Sequence, residues 1–187
     1  MYRSTAIQAD GGFLNCFLAL SLLYYYQCDM MKTETEPLFF SADIPAPQHE
    51  VWLAWTTAVG CRSFFAPDCK LELRIGGAYE MYFDKEAPVG DWGGEGCVLL
   101  AFEPECMLSF TWNAPPEFPA IREQKTHVIV RLKAIDETKT QVTLSHDGWG
   151  ESEDWQQVRK YFIRAWGEIV LPRLAKRFSE GPIQWQL

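Results

Sequence analysis

Residues 152–181 carry the pattern that most narrows the fold. Trp155, Val158, Phe162, Trp166, Ile169 and Val170 recur at three- and four-residue intervals, so they share one face of a helix. Ser152 offers an N-cap oxygen, and Glu153 and Asp154 put negative charge in the first turn, where the helix dipole favours it. Pro172 predicts a kink near the end, and Gly181-Pro182 stops the helix. A helix with so long an apolar face needs an apolar partner.

The chain before it supplies strands. Leu38–Ile44 reads as a strand ended by Pro45-Ala46-Pro47, with Pro47 at the first helical position. Val51, Trp52, Ala54 and Trp55 then follow at helical spacing, and Gly60 and Pro67 break this region into a short helical connection. From Cys69 to Ile75, Leu71, Leu73 and Ile75 alternate with Lys70, Glu72 and Arg74, predicting a half-buried strand and a turn at Gly76-Gly77. Tyr79, Met81 and Phe83 share a face of the next strand. Hairpins are predicted from 97–102 and 107–112 around Pro104, and from 126–134 and 140–146 around 136–139. Residues 84–94 and 113–123 read as loops. Short connections between successive strands imply an antiparallel sheet. The expected architecture is α+β: a curved antiparallel sheet wrapped around the long C-terminal helix, with two short helices after the first strand and an apolar space between sheet and helix.

Composition excludes some functions. Hydrophobic residues make up 48% and charged residues 22% of 187, so the chain is not intrinsically disordered. Seventeen Lys and Arg against 25 Asp and Glu leave a net charge of −8 and no cation excess for nucleic-acid phosphates. The 14% aromatic content points to a large core, an apolar cavity, or both.

Residues 1–30 form an apolar extension to a single domain over 31–187. Twelve of the fourteen residues in 13–26 are apolar, too short a run for a membrane span. It has the length of a signal-peptide core, but only Arg3 precedes it, and no small residues mark a cleavage site before Cys28. Three readings stand: a start assigned upstream of Met30 and Met31, an export or anchor segment, or a native docking segment. The first is preferred and makes the protein cytoplasmic, without membrane contact unless 13–26 is retained.

No nucleophile elbow, HExxH, P-loop or GxGxxG pattern occurs. The Gly-rich stretch 90–96 lacks the P-loop Lys and Ser/Thr. The six cysteines show no metal-ligand spacing, and a Cys97–Cys106 disulfide is not expected because Cys97 falls opposite a residue near Phe110. Buried free thiols are the default. No metal, cofactor or catalytic residue is assigned. Of the histidines, His49 is expected on the surface and His127 away from the helix, whereas His146 shares parity with Val142 and Leu144 and points inward. It is either a satisfied structural histidine or a polar group at a cavity mouth. Tyr79, Met81, Phe83, Phe110, Trp112, Phe162 and Trp166 are inward by the same parity, with Trp55 and Phe65 near the mouth. They are core or pocket wall. On the pocket reading these nine and His146 bind a ligand.

Several ordered motifs between residues 37 and 178 carry a resemblance. Ala46-Pro47 with Val51-Trp52, Ser63 to Pro67, Leu73 to Gly77, Gly96-Cys97-Val98 with Pro104 and Leu108 to Trp112, and Ala165-Trp166 resemble elements of the START-like (SRPBCC, helix-grip) superfamily. Within it they are similar to the C-terminal domain of the activator of the 90-kDa heat-shock protein ATPase. Phe64 stands where that family usually has Trp, and Ala165 where it usually has Gly. The resemblance implies a helix-grip fold and three roles. Binding of a small apolar or amphipathic molecule leads, followed by a chaperone ATPase-activating module and a cyclase- or aromatase-like enzyme using His146 and Tyr79.

Overall fold

The computed structural model describes residues 35–185, and the predicted 1–30 extension lies outside them. Strand β1 (Leu38–Ile44) leads into helices α1 (Gln48–Thr56) and α2 (Ala58–Arg62). Strands β2 (Asp68–Leu71), β3 (Tyr79–Tyr82), β4 (Leu99–Glu103) and β5 (Met107–Trp112) follow. After the one-turn helix α3 (Pro119–Arg122), β6 (Thr126–Asp136) and β7 (Lys139–Asp147) form the longest hairpin. An unbroken helical run follows: α4 (Glu153–Arg164), a π-helical segment (Ala165–Val170) and α5 (Leu171–Glu180).

Five strands make one antiparallel sheet in the order β1-β7-β6-β5-β4, and β2 and β3 form a separate ribbon. Single bridges from Ala78 to Val98 and from Tyr82 to Gly93 tie the ribbon to the region of β4. The register places Leu99 opposite Phe110, so Cys97 and Cys106 do not face one another, and both are free thiols. Cys97 and Cys61 are buried and Cys69 half-buried, but Cys106 is exposed because it sits at the tip of the β4–β5 turn. At that turn Glu105 adopts φ +62°, and its carbonyl and carboxylate bind Gln48 and His49 of α1. Gln48 also accepts from the Ala134 N–H, so one side chain fastens the start of α1 to two hairpins.

The inner face of the sheet packs on the C-terminal helix. Trp155, Val158, Phe162, Trp166 and Val170 are buried, but Ile169 is 41% exposed. Pro172 does not end the helix. It cannot donate to the carbonyl one turn back, and its ring crowds that carbonyl. The π-helical segment directly upstream absorbs the misfit, with Leu171 N–H donating to the Trp166 carbonyl five residues back.

Two local expectations change. The predicted strand over 69–75 stops at Leu71, and Leu73 and Ile75 are 42% and 72% exposed. Tight turns take over there, with Arg74 N–H on the Glu72 carbonyl and Gly77 N–H on the Arg74 carbonyl. Gly76 (φ +72°) then turns the chain so that Gly76 and Gly77 bond Leu99. Pro47 also sits one residue earlier than predicted, as the N-cap of α1.

Candidate functional site

The space between sheet and helix is filled by aromatic rings. Trp55 meets Phe64 and Phe65 edge-on at centroid distances of 5.0 and 5.5 Å. Phe65 stacks on Trp112 at 5.6 Å, and both contact Trp166, at 5.8 and 5.7 Å. Tyr79 stacks on Phe110 at 4.3 Å. Phe65 and Trp55 are 1% and 0% exposed, so they lie in this packed interior and not near a mouth. Tyr79, Met81, Phe110 and Trp166 are likewise buried. The Tyr79 hydroxyl donates to the Trp55 carbonyl, and burial pushes its pKa up, which leaves it a neutral structural donor.

His146 is also interior, with no exposed surface. Its ring lies 4.7 Å from Phe162 and 4.1 Å from Trp149. Indole N–H groups only donate, so Trp166 Nε1–H fixes His146 Nδ1 as an acceptor, at 2.9 Å. Nε2 therefore carries the proton and donates to Thr126 Oγ1 at 2.7 Å, and Thr126 donates to the Trp112 carbonyl at 3.1 Å. Both ring nitrogens are occupied. Burial, with a smaller contribution from His127, holds the His146 pKa well below its ordinary value. Of the two readings, His146 has the partners of a satisfied structural histidine and does not stand at a cavity mouth. The inward parity of β7 runs under the helix, not toward an opening.

An opening lies instead at one end of the grip, between the loop after β3, the loop after β5 and α4. This cleft has a volume of ≈ 470 Å³. Of the sequence-predicted ligand residues it brings together Phe83, Trp112 and Phe162. Phe83 shares the parity of Tyr79 and Met81 but is 44% exposed, because β3 ends at Tyr82 and the chain turns outward to bond Trp92. The other wall residues include Trp92, Tyr161, Pro115 and Pro116. Burial and the neighbouring Glu117 carboxylate raise the Tyr161 pKa.

The walls are held by a partly buried ion pair. Arg122, 9% exposed at its side chain, meets the Glu95 carboxylate at 3.1 Å. The same guanidinium donates to the carbonyls of Gly90, Gly93 and Ala114. Glu95 also accepts from the N–H groups of Trp92 and Gly93, both at 2.7 Å. The Gly-rich stretch 90–96 is thus folded around its own carboxylate and clamped to the proline-rich loop. A Cβ at Gly93, with φ +149°, would meet the Met81 carbonyl at 2.5 Å, so only glycine fits there. Sequence periodicity did not single out Arg122, Glu95, Trp92 or Tyr161. A carboxylate inside a Gly-rich loop is the one local signal, since it can cap nearby N–H groups.

Among the described residues no cluster of His, Cys, Asp and Glu could hold a metal ion. No helix of the described residues is long and apolar enough to cross a membrane.

A five-stranded antiparallel sheet gripping a long C-terminal helix, with an opening at one end, defines an α+β protein of the helix-grip class. The family described as Activator of Hsp90 ATPase homolog 1-like protein matches residues 45–179, and the chain belongs to that family. A structure of a Mesorhizobium loti protein aligns with a TM-score of 0.59 at 21% identity, over 79% of this chain and 100% of that one. An HSP90 activator from Plasmodium falciparum aligns with a TM-score of 0.57 at 14% identity, over 79% and 97%. The Aha1 dimer from Colwellia psychrerythraea gives 0.56 at 17% identity, over 78% and 98%. Among curated proteins no sequence matches.

Proposed function

We propose that the protein binds a small amphipathic molecule in the end cleft, not in the sheet–helix interior. The observation that carries this reading is the cleft itself: ≈ 470 Å³, walled by Phe83, Trp92, Trp112, Tyr161 and Phe162, with a few polar groups among them. Its size and lining are those of small-molecule sites, which are mostly apolar with a small number of placed polar groups. The Arg122–Glu95 clamp supports the reading, because it preforms the walls before a ligand arrives.

The test uses the neutral fluorophore N-phenyl-1-naphthylamine on the full chain. Saturable binding is expected, lost in Ala87→Trp, which fills the cleft from its rim, and weakened about tenfold in Phe83→Ala. Absence of binding, or binding that neither substitution changes, would overturn the proposal. Native mass spectrometry of the purified protein against its denatured mass would reveal a co-purified ligand.

Family membership favours a second reading, that of a module stimulating a chaperone ATPase. Its test is the ATPase rate of a 90-kDa heat-shock protein with and without this chain. The enzyme alternative loses its general base, since His146 has no free nitrogen.

A further inference from the structure

The cleft's free charged groups are of one sign. Asp91 and Glu117 line it, accept no hydrogen bond and enter no ion pair among the described residues. Asp84 lines it too and uses one oxygen to cap the Glu86 N–H. Asn113, 4% exposed and also lining the cleft, donates its Nδ2–H to the Gly93 carbonyl. Its Oδ1 has no partner among the described residues. That oxygen is open to a donor that enters the cleft.

Most donors of the site are already used, and the Tyr161 hydroxyl and the second Asn113 Nδ2–H remain. Arg122, the one cation in the lining, is bound to Glu95 and three carbonyls, so the two charges cancel. Trp92 Nε1–H donates to the Ala87 carbonyl. Lys85, 5.7 Å from the Trp92 ring centre, is bonded to Asp68 at 2.8 Å. What faces the cleft is three carboxylates, the Asn113 amide, the Tyr161 hydroxyl and a set of π faces. Carboxylates and aromatic faces both attract cations, and the chain's net charge of −8 raises the local concentration of cations further.

We infer that the molecule bound in the cleft is a cationic amphiphile: an aromatic or aliphatic body with an ammonium or similar N–H-bearing cation. This rests on the cleft-binding reading above. In the bound form the body lies against Phe83, Trp112 and Phe162. The cationic head lies between Asp91 and Glu117, with one N–H directed to Asn113 Oδ1. An anionic head in the same place would meet three carboxylates and no free cation among the described residues, a repulsive arrangement that disfavours fatty-acid-like ligands.

The experiment compares three probes with one body on the full chain by calorimetry: 1-naphthylmethylammonium, 1-naphthalenemethanol and 1-naphthoate. The ammonium is expected to bind at least about tenfold tighter than the alcohol, and the naphthoate most weakly. Raising salt should weaken only the ammonium. In the Asp91→Asn, Glu117→Gln double variant the ammonium should fall to within about threefold of the alcohol. Alcohol and ammonium binding equally to the unsubstituted protein, or naphthoate binding tightest, would overturn the cation inference and leave the cleft standing. Failure of all three probes, together with N-phenyl-1-naphthylamine, would overturn the cleft itself.

Discussion

Acidification from pH 7.5 to 4.5 should weaken the fold through His146. In the native protein this ring is buried, its Nδ1 is held by the Trp166 N–H, and its Nε2–H is held by Thr126. Adding a proton at Nδ1 would set two donors against each other inside an aromatic shell. The native pKa therefore lies well below 6.5. The unfolded chain has no such restraint and protonates near pH 6.5. Above that pH both states are neutral and the site does not affect the balance. Below it only the unfolded state gains a proton, so stability falls as pH drops, by about 1.4 kcal/mol per unit, until the native pKa is reached. The two pH units between 6.5 and 4.5 bound the loss at about 2.7 kcal/mol.

The window is set apart from the perturbed carboxylates. Asp68 and Asp136 are held below 3.8, Asp68 chiefly by its hydrogen bond from Lys85 and Asp136 by the Thr138 N–H. A depressed carboxylate stabilises the fold above its unfolded pKa and loses that effect as pH falls through the native value, which here lies under the window. The assay is urea unfolding followed by tryptophan fluorescence at half-unit steps, for the unsubstituted chain and His146→Asn. The variant will be less stable at every pH, but its stability should be nearly flat between 7.5 and 4.5. Equal stability of the unsubstituted chain at both ends would refute the reasoning. So would an unchanged slope in the variant, or a His146 ring that titrates near 6.5 by NMR.

Three further outcomes are expected. Arg122→Met leaves Glu95 and the Gly90, Gly93 and Ala114 carbonyls without their donor, so denaturant unfolding should show a loss of roughly 3 kcal/mol, and hydrogen exchange should rise across 90–96 and 113–122. Gly60→Ala places a Cβ at 2.2 Å from the Leu53 carbonyl at the α1–α2 corner, which the backbone must move to relieve, so thermal unfolding should report a loss of about 2 kcal/mol. Among the four described cysteines, iodoacetamide labelling of the native protein, read by peptide mass, should modify Cys106 first and Cys69 slowly, and leave Cys61 and Cys97 untouched until the protein unfolds.

Much of the fold is legible in local patterns. The alternation in 107–112 and 126–134 marks β5 and β6 because a strand repeats every two residues, whatever it packs against. The Trp155–Trp166 stripe marks the C-terminal helix for the matching reason at 3.6 residues. Parity also sends Tyr79, Met81, Phe110 and Trp112 inward, and they are buried. The rule fails where a non-local partner outweighs periodicity. Leu73 and Ile75 alternate correctly, yet Gly76 and Gly77 bond Leu99 and pull the chain out of the ribbon. Phe83 has the right parity but lies beyond the last rung of β3.

The candidate site was less legible. The aromatic residues that could wall a pocket were visible, but periodicity cannot distinguish a ring that fills space from one that bounds it. That depends on the summed volume of side chains arriving from α1, β3, β5 and the C-terminal helix. Arg122 and Glu95 are 27 residues apart, and each looks like a surface charge in its own segment. His146 was visible as inward, but its neutrality and its fixed proton come from Trp166 and Thr126, each 20 residues away. By itself, then, the sequence determined the elements, their order and which face of each is apolar, because these follow from backbone repeat lengths and turn residues. Only the tertiary structure decided that the grip is packed solid and open at one end, because packing and charge pairing join side chains that the chain's local order keeps apart.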